Sequence, residues 1–500
     1  MAFITSVLSW LIKKRLHQIE LFVKYPHDVQ QESLRKLLTT ARSTEWGKRY
    51  NYDGISNYNQ FRQNVPISYY EDLKPSITRI RNGEQNILWP TPIHHFAKSS
   101  GTTDSKSKFI PVSKEALEEC HYKGGKDLLS IYCNNYPETE IFDGKLLGLG
   151  GSRTQDDSRN DTFHGDVSAI LMNNLPFWVE IMRTPSIAIA LMDEWESKIE
   201  MIANVTKDEN VTSISGVPSW SLLLCKRVLE ITGKKNLEEV WPSLELFVHG
   251  GVNFAPYREQ YRKIMPANVN YMDIYNASEG FFGIQDRTDS DDLLLMLDYG
   301  IFYEFIPLDK LHEDHPAALG LDEVVTDENY AMVISTNAGL WRYIPGDTIS
   351  FTSLNPFRIR ITGRTKNFIN AFGEELIIDN AEKALVIACE KTNATIRDYT
   401  AAPIYLNDNE NAAHEWAIEF DQPPENIEYF GEVLDNALKS LNSDYEAKRY
   451  HNLILKPPII HALASNTFYK WLKKNGKLGG QHKVPRLANN RIYLEEILNL

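Results

Sequence analysis

Three apolar stretches that each stop in a glycine- or hydroxyl-bearing turn constrain this chain more than any other feature. Lys145-Leu146-Leu147-Gly148-Leu149-Gly150-Gly151-Ser152 reads as a short strand ending in a glycine turn. Residues 244–248 read as a buried strand ending in His249-Gly250-Gly251, and a third strand near residues 270–274 ends at Tyr275-Asn276-Ala277-Ser278-Glu279-Gly280. Before the second strand, Trp220, Leu224, Val228 and Ile231 fall at i, i+4, i+8 and i+11, one face of a helix. Strands alternating with helices and ending in such turns belong to α/β sheets that bind ligands at strand C-termini.

Beyond residue 330 the pattern turns antiparallel, through residues 331–336, Arg342-Tyr343 and residues 348–351, with Gly346-Asp347 between the last two. Phe357-Arg358-Ile359-Arg360-Ile361 alternates strictly and predicts a strand with one buried face. Thr362-Gly363-Arg364-Thr365-Lys366 then forms a polar break, which divides the chain into 1–361 and 362–500. The smaller unit opens with Asp379 and Glu382, spaced as a capping box, on a helix with Ala381, Ala384, Leu385, Ala388 and Cys389 on its apolar face. Next come a strand at 416–420, a helix with Ile427, Phe430, Leu434, Leu438 and Leu441 on one side, and a basic, glycine-rich loop from Gly476 to Arg486.

At 500 residues the chain exceeds what one core usually supports. Its net charge of −14 offers no basic field for nucleic acid or an anionic membrane, so an anionic ligand needs locally placed Lys and Arg. The four cysteines are far apart with no C-x-x-C pair, which suggests neither zinc nor a disulfide framework and fits a reducing cytoplasm. In the apolar run 2–12 the lysines Lys13 and Lys14 come after the run, the wrong order for a signal peptide, and the run is too short to span a bilayer. Val7, Leu11 and Leu16 are expected on one face of a helix packed against the body, with no stable membrane association.

One loop carries an unusual density of oxyanion donors: Ser99-Ser100-Gly101-Thr102-Thr103-Asp104-Ser105-Lys106-Ser107-Lys108. Hydroxyls, backbone N–H groups and ammonium groups converge there. It is not a Walker A loop, because the G-x-x-x-x-G-K-[ST] spacing is absent and Phe109-Ile110-Pro111-Val112 reads as strand. From these residues alone, a phosphate grip and a solvated hairpin tip stand equal.

Five stretches in order resemble the acyl-acid amido synthetase family known as GH3, within the wider superfamily of acyl-adenylate-forming enzymes. Residues 99–108 resemble its first ATP motif, Tyr275 to Gly280 its second, and Leu340-Trp341-Arg342-Tyr343-Ile344-Pro345-Gly346-Asp347 its third. Residues 362–375 resemble its hinge, and Gln481-His482-Lys483-Val484-Pro485-Arg486 its C-terminal lysine loop. The implied fold is α/β: a large N-terminal domain with mixed sheets and an antiparallel, barrel-like part, plus a small mobile α+β C-terminal domain. The implied reaction is adenylation of a small carboxylic acid by ATP with Mg²⁺, then transfer of the acyl group to an amine, usually that of an amino acid.

On this resemblance Ser99, Ser100, Gly101, Thr102 and Thr103 hold phosphates, and Gly250 and Gly251 lie against adenine. Tyr275, Ser278, Glu279 and Gly280 contact the nucleotide, with Glu279 also the Mg²⁺ ligand, and Asp347 accepts the ribose hydroxyls. Arg364 and Lys366 reach ribose or phosphate, and Lys483 stabilises the adenylation transition state. Three positions depart from the family pattern. Ser105 replaces a frequent Gly, Gly363 stands where many of the superfamily carry Asp, and Ile344-Pro345 replaces an Arg-containing pair whose contact is lost or passes to Arg342. An acyl-CoA ligase would share the first step. A serine hydrolase built on Asn276-Ala277-Ser278-Glu279-Gly280 lacks the first glycine of the nucleophile turn. A non-catalytic nucleotide-binding protein would have no use for Lys483 beside Glu279 and Asp347.

Overall fold

The computed structural model describes residues 15–99, 108–151, 153–155, 162–175, 177–192, 194–251, 254, 257–311, 313, 315–365, 368–369, 376–406, 411–442, 445–446, 449, 455–477, 484–488 and 490–500. The N-terminal run 2–12 lies outside them. Residues 15–24 are helical with Ile19 and Phe22 buried, and the Arg15 guanidinium donates to the buried Asp127 carboxylate at 2.6 Å. Helices α1 (Pro26–Ala41), α2 (Tyr58–Asn64) and α3 (Tyr70–Arg81) come next. In α1 the buried Leu34, Leu37, Leu38 and Ala41 repeat at the spacing of one helical face.

Strands β1 (His95–Ser99) and β2 (Lys108–Val112) pair antiparallel, with Ser99 opposite Lys108, and residues 100–107 of the donor-rich stretch lie outside the described residues. Ser113 caps the next helix: its Oγ accepts from the Ala116 N–H at 3.0 Å and donates to the Asn337 carbonyl at 2.7 Å. That helix opens as a π-helical stretch (Ala116–His121) and continues as α4 (Tyr122–Asn135).

An eleven-stranded sheet forms the body. Five parallel strands, β3 (Lys145–Gly148), β4 (Arg183–Thr184), β5 (Val211–Gly216), β6 (Leu246–Gly250) and β7 (Asn270–Ala277), make one half. Strands β8 (Gly280–Ile284), β9 (Leu293–Leu295), β10 (Ile301–Pro307), β11 (Asn329–Thr336), β12 (Asp347–Leu354) and β13 (Phe357–Arg364) extend it antiparallel. The spatial order is β10-β11-β12-β13-β9-β8-β7-β6-β5-β3-β4. One face of the parallel half packs on α4 and α5 (Val167–Asn173); the other, through Leu147, Ile214 and Phe247, packs on α6 (Trp195–Thr206) and α7 (Pro218–Thr232). Both are apolar, which is why these strands read as unbroken hydrophobic runs.

The structure revises three local expectations. Tyr275 to Ala277 belong to strand β7, and Ser278-Glu279 is a two-residue hairpin turn into β8. Thr362 to Arg364 are strand, with Gly363 and Arg364 opposite Thr348 and Asp347, so no break occurs there. The capping box does not form: α8 (Ile378–Thr392) starts directly after a strand at Leu376–Ile377, which puts Asp379 inside the first turn, where it pairs with Lys383 at 2.7 Å. Beyond α8, strands β14 (Thr395–Leu406), β15 (Asn411–Gln422) and β16 (Ile459–Leu463) form a small sheet backed by α9 (Ile427–Leu441). This unit has its own core around Leu385, Trp416, Phe430 and Leu434. Among the described residues no helix is long and apolar enough to cross a membrane.

Candidate functional site

A cleft of about 1260 Å³ opens at the C-terminal ends of β3, β5, β6 and β7, between the main sheet and α8. Gly250, Gly251, Tyr275, Ser278, Glu279 and Asp347 all line it, together with Val484, Pro485 and Arg486. Stretches more than 200 residues apart in sequence therefore meet in one place.

The Tyr275 hydroxyl donates to Asp347 Oδ2 at 2.6 Å, a bond between two buried side chains that ties the second motif to the third. It pre-orients the carboxylate that the family resemblance assigns to ribose, and as a hydrogen bond to an ionised acceptor it is a strong one. Gly250 is required by close approach, since a Cβ there would stand 2.4 Å from the Ile274 carbonyl oxygen. Gly251 turns away at φ +78°, a conformation that favours glycine. Gly280 does not line the cleft; a Cβ on it would meet Ile301 Cδ1 at 2.8 Å, so its smallness serves packing.

The hairpin that carries Ser278 and Glu279 rests on the head of α4. Cys120 Sγ accepts from the Phe281 N–H at 3.2 Å, and Gly124 lies under the Phe281 ring so closely that a Cβ would come within 2.6 Å of it. Burial pushes the His121 imidazole down to about 4, against a hydrogen bond to Asn276 that raises it, so this ring sits neutral beneath the second motif. The π-helical stretch sets Cys120 and His121 toward the hairpin together, a local irregularity of the kind that recurs at functional sites.

Two features escape a sequence reading. His249 stacks on Phe254 with centroids 4.2 Å apart and an interplanar angle of 20°, and its Nδ1 lies 3.3 Å from Asp273 Oδ1. Arg486 pairs with Asp398 and donates to Tyr257 Oη at 3.0 Å, which joins the C-terminal loop to the N-terminal body. Lys226 adds a second junction, to Asp421 at 3.3 Å.

Other expected residues fall elsewhere. Arg342 does not take over a nucleotide contact: it is buried against Glu304 and donates to the Arg62 and Val65 carbonyls, outside the cleft. Its charge is drawn inward by Glu304, a fully buried carboxylate on β10 that needs a cation to balance it. Ser100, Gly101, Thr102, Thr103, Lys366 and Lys483 lie outside the described residues. Ser99 ends β1, and Arg364 ends β13 opposite Asp347. For Mg²⁺, no group of three or more metal-ligating side chains occurs among the described residues. Glu279 alone fits an ion that takes one carboxylate and completes its shell from phosphate and water.

Family models match most of the chain. The model described as the GH3 family N-terminal domain matches residues 15–269, that of the GH3 family central domain residues 294–364, and that of the GH3 family C-terminal domain residues 379–492. The chain is similar to the indole-3-acetic acid-amido synthetase GH3.3 of Arabidopsis thaliana, 23% identical over 95% of this chain and 92% of that protein. It is also similar to the jasmonoyl-L-amino acid synthetase GH3.5 of Oryza sativa subsp. japonica, 24% identical over 95% of each. Among solved structures it resembles AtGH3.15 acyl acid amido synthetase in complex with 2,4-DB, with a TM-score of 0.79 and 17% identity over 98% of this chain and 96% of that one. It resembles 2-hydroxyisobutyryl-CoA ligase in the postadenylation state less closely, with a TM-score of 0.58 and 11% identity over 94% and 92%. At these identities both structures speak for the fold alone.

Proposed function

The chain belongs to the GH3 family, and from that premise we propose that it is an AMP-forming acyl-acid amido synthetase. The observation that carries the reading is the convergence of Gly250-Gly251, the Ser278-Glu279 hairpin, the Tyr275–Asp347 pair and the segment after Lys483 on one cleft.

In the first step a carboxylate oxygen attacks the α-phosphorus of ATP, and pyrophosphate leaves. Two anions meet, so the protein contributes positioning and charge neutralisation. The Asp347 carboxylate, held at one oxygen by Tyr275, accepts from the ribose, and Gly250-Gly251 lets the backbone lie flat on adenine. The loop 99–108 grips the leaving pyrophosphate, and Arg364 and Lys366 add cations near ribose or phosphate. Glu279 would hold Mg²⁺, which supplies neutralisation of phosphate charge. In the second step an amine nitrogen, that of an amino acid, attacks the acyl carbon; AMP leaves and the amine gives up a proton. The C-terminal unit beyond β13 acts as the moving domain between the steps, and Lys483 withdraws after the first. The four free thiols, Cys120, Cys133, Cys225 and Cys389, support a cytoplasmic location.

Incubation with ATP, Mg²⁺ and a panel of carboxylic acids tests the reading. Acid-dependent ATP–pyrophosphate exchange, with an amide product when amino acids are added and no thioester when CoA is added, is the expected outcome. A thioester in place of an amide would transfer the chain to the ligases that share its first step.

The platform under the hairpin predicts a variant. Gly124→Ala places a methyl against the Phe281 ring, an overpacking worth about 1–3 kcal/mol. It should lower kcat/KM for ATP in the exchange reaction about tenfold, since small misplacements of a binding group cost one to two orders of magnitude. Adding Phe281→Leu should restore most of it. Steady-state exchange kinetics check this, and an unaffected KM and kcat would separate the platform from the site.

A further inference from the structure

The structure points to the acid itself, on the premise of the adenylation reading. Strand register divides the cleft floor into rows. Gly148, Ser215, Val248 and Met272 form one row on the face toward α4 and α5, with Leu246 and Asn270 in the next row away from the nucleotide end. Opposite, the same strands bury Leu147, Ile214 and Phe247 against α6 and α7, while Tyr271 is half-buried at the cleft. The small Gly148 and Ser215 deepen the face toward α4 and α5.

The wall toward α5 is aliphatic, and Tyr132 and Tyr136 stand at the far end. Leu171 and Met172 of α5 are partly exposed to the cleft, as is Leu146 from below. Met172 lies across β3 and the turn after it: its Sδ is 2.7 Å from where a Cβ of Gly150 would stand, and its Cε 3.5 Å from that of Gly148. From the Gly250–Ile274 pair to the Leu246–Asn270 pair the channel runs four residues, about 13 Å at the usual strand rise. Its far end is closed by Tyr132, whose hydroxyl donates to Glu245 Oε1 at 2.8 Å and accepts from Asn270 Nδ2 at 3.0 Å.

Among the described residues, this channel carries no charge in usable form. Arg183 lines it, but its Nε and one Nη donate to Glu180 at 3.1 and 3.0 Å, and its other Nη faces the Met172 sulfur at 3.9 Å. A carboxylate at the tail of a substrate would have to displace Glu180 or lie desolvated without a partner.

We infer that the acyl substrate is a monocarboxylic acid with an elongated, uncharged, flexible aliphatic tail, laid along the sheet between α4 and α5 with its carboxylate at the glycine turns. The flexible Leu171 and Met172 side chains along the α5 wall can adapt to an alkyl tail.

The experiment measures ATP–pyrophosphate exchange with a homologous series of straight-chain monocarboxylic acids, their α,ω-dicarboxylic counterparts and a set of aromatic acids. For the monocarboxylic series kcat/KM should rise about fourfold per methylene, the equivalent of ~0.8 kcal/mol per buried CH₂. The rise should stop once the tail reaches Tyr132, and the dicarboxylic acids should be at least about 100-fold poorer at equal length, as for a buried unpaired charge. Leu171→Trp should move the length optimum to shorter acids and Met172→Ala to longer or branched ones, with KM for ATP unchanged in both. Exchange that is indifferent to tail length, or that prefers aromatic or dicarboxylic acids, overturns the substrate class while leaving adenylation in place. Absence of exchange with every acid overturns adenylation and the substrate class together. If one variant fails to fold, the other still has to move the optimum in its own direction.

Discussion

Replacing Lys483 with alanine is expected to lower acid-dependent ATP–pyrophosphate exchange by about 10²–10³-fold, the usual loss when one donor to developing charge is removed. Amide formation from supplied acyl-AMP should change by less than about threefold, because that half-reaction does not pass through the same transition state. The reason lies in how firmly the chain is held just beyond this residue. The Pro485 carbonyl accepts from Thr400 Oγ1 at 2.6 Å, the Arg486 carbonyl accepts from the Ala401 N–H at 2.8 Å, and the Arg486 side chain is fixed by Asp398 and Tyr257. Val484, the next residue along, already lines the cleft. The segment that follows Lys483 is thus held at the cleft. In a chain of net charge −14, the loss of a cation in this loop is not made good by the general field. Equal loss in both half-reactions would take Lys483 out of the adenylation step. Loosening the anchor instead, with Tyr257→Phe, removes only a neutral partner of a charged group and should cost far less than the lysine itself.

What the sequence reveals of this protein is what is local. The strands ending at Gly148 and Gly250 and the helical stripe of Trp220, Leu224 and Val228 are legible because apolar period and glycine punctuation sit within a few residues of each other. The motif from Tyr275 to Gly280 is legible as chemistry but not as shape: its polar, small residues resemble a loop, yet Ser278-Glu279 is the turn of a hairpin whose strands are held from outside by Cys120 and Gly124. Those supports lie more than 150 residues upstream and carry no chemical signature of their own. Arg342 is the opposite case. It stands inside a recognisable motif, and its charge suggests a ligand, but a single Glu in the run Ile-Phe-Tyr-Glu-Phe-Ile of β10 marks where that charge goes. A lone acid in an otherwise apolar strand is a signal that a partner must be found, though not which one.

That buried pair sets the largest stability effect expected here. Glu304 is fully buried and accepts from Arg342 Nε at 2.9 Å, from its Nη2 at 2.8 Å and from Tyr58 Oη at 3.1 Å. The other guanidinium nitrogen donates to the carbonyls of Val65 and Arg62 at 2.6 and 2.9 Å, beyond and within α2. Arg342 thus pins α2 to β10, from a backbone at φ +42° that an arginine rarely adopts. Glu304→Leu strands a guanidinium in a place that water does not reach and should destabilise the protein by about 3–5 kcal/mol; Arg342→Met strands the carboxylate and should cost a similar amount. The double variant should cost clearly less than the sum of the two, because each single change includes the penalty of the charge left behind. It will not return to native stability, since the Arg62 and Val65 carbonyls lose their donor whenever Arg342 is replaced. Urea unfolding of the four proteins measures the coupling, and single losses below about 1 kcal/mol would mean that relaxation or water satisfies the stranded group. Among the variants that remain folded, KM for ATP should match the native protein, because neither side chain lines the cleft. A raised KM would return Arg342 to the nucleotide site.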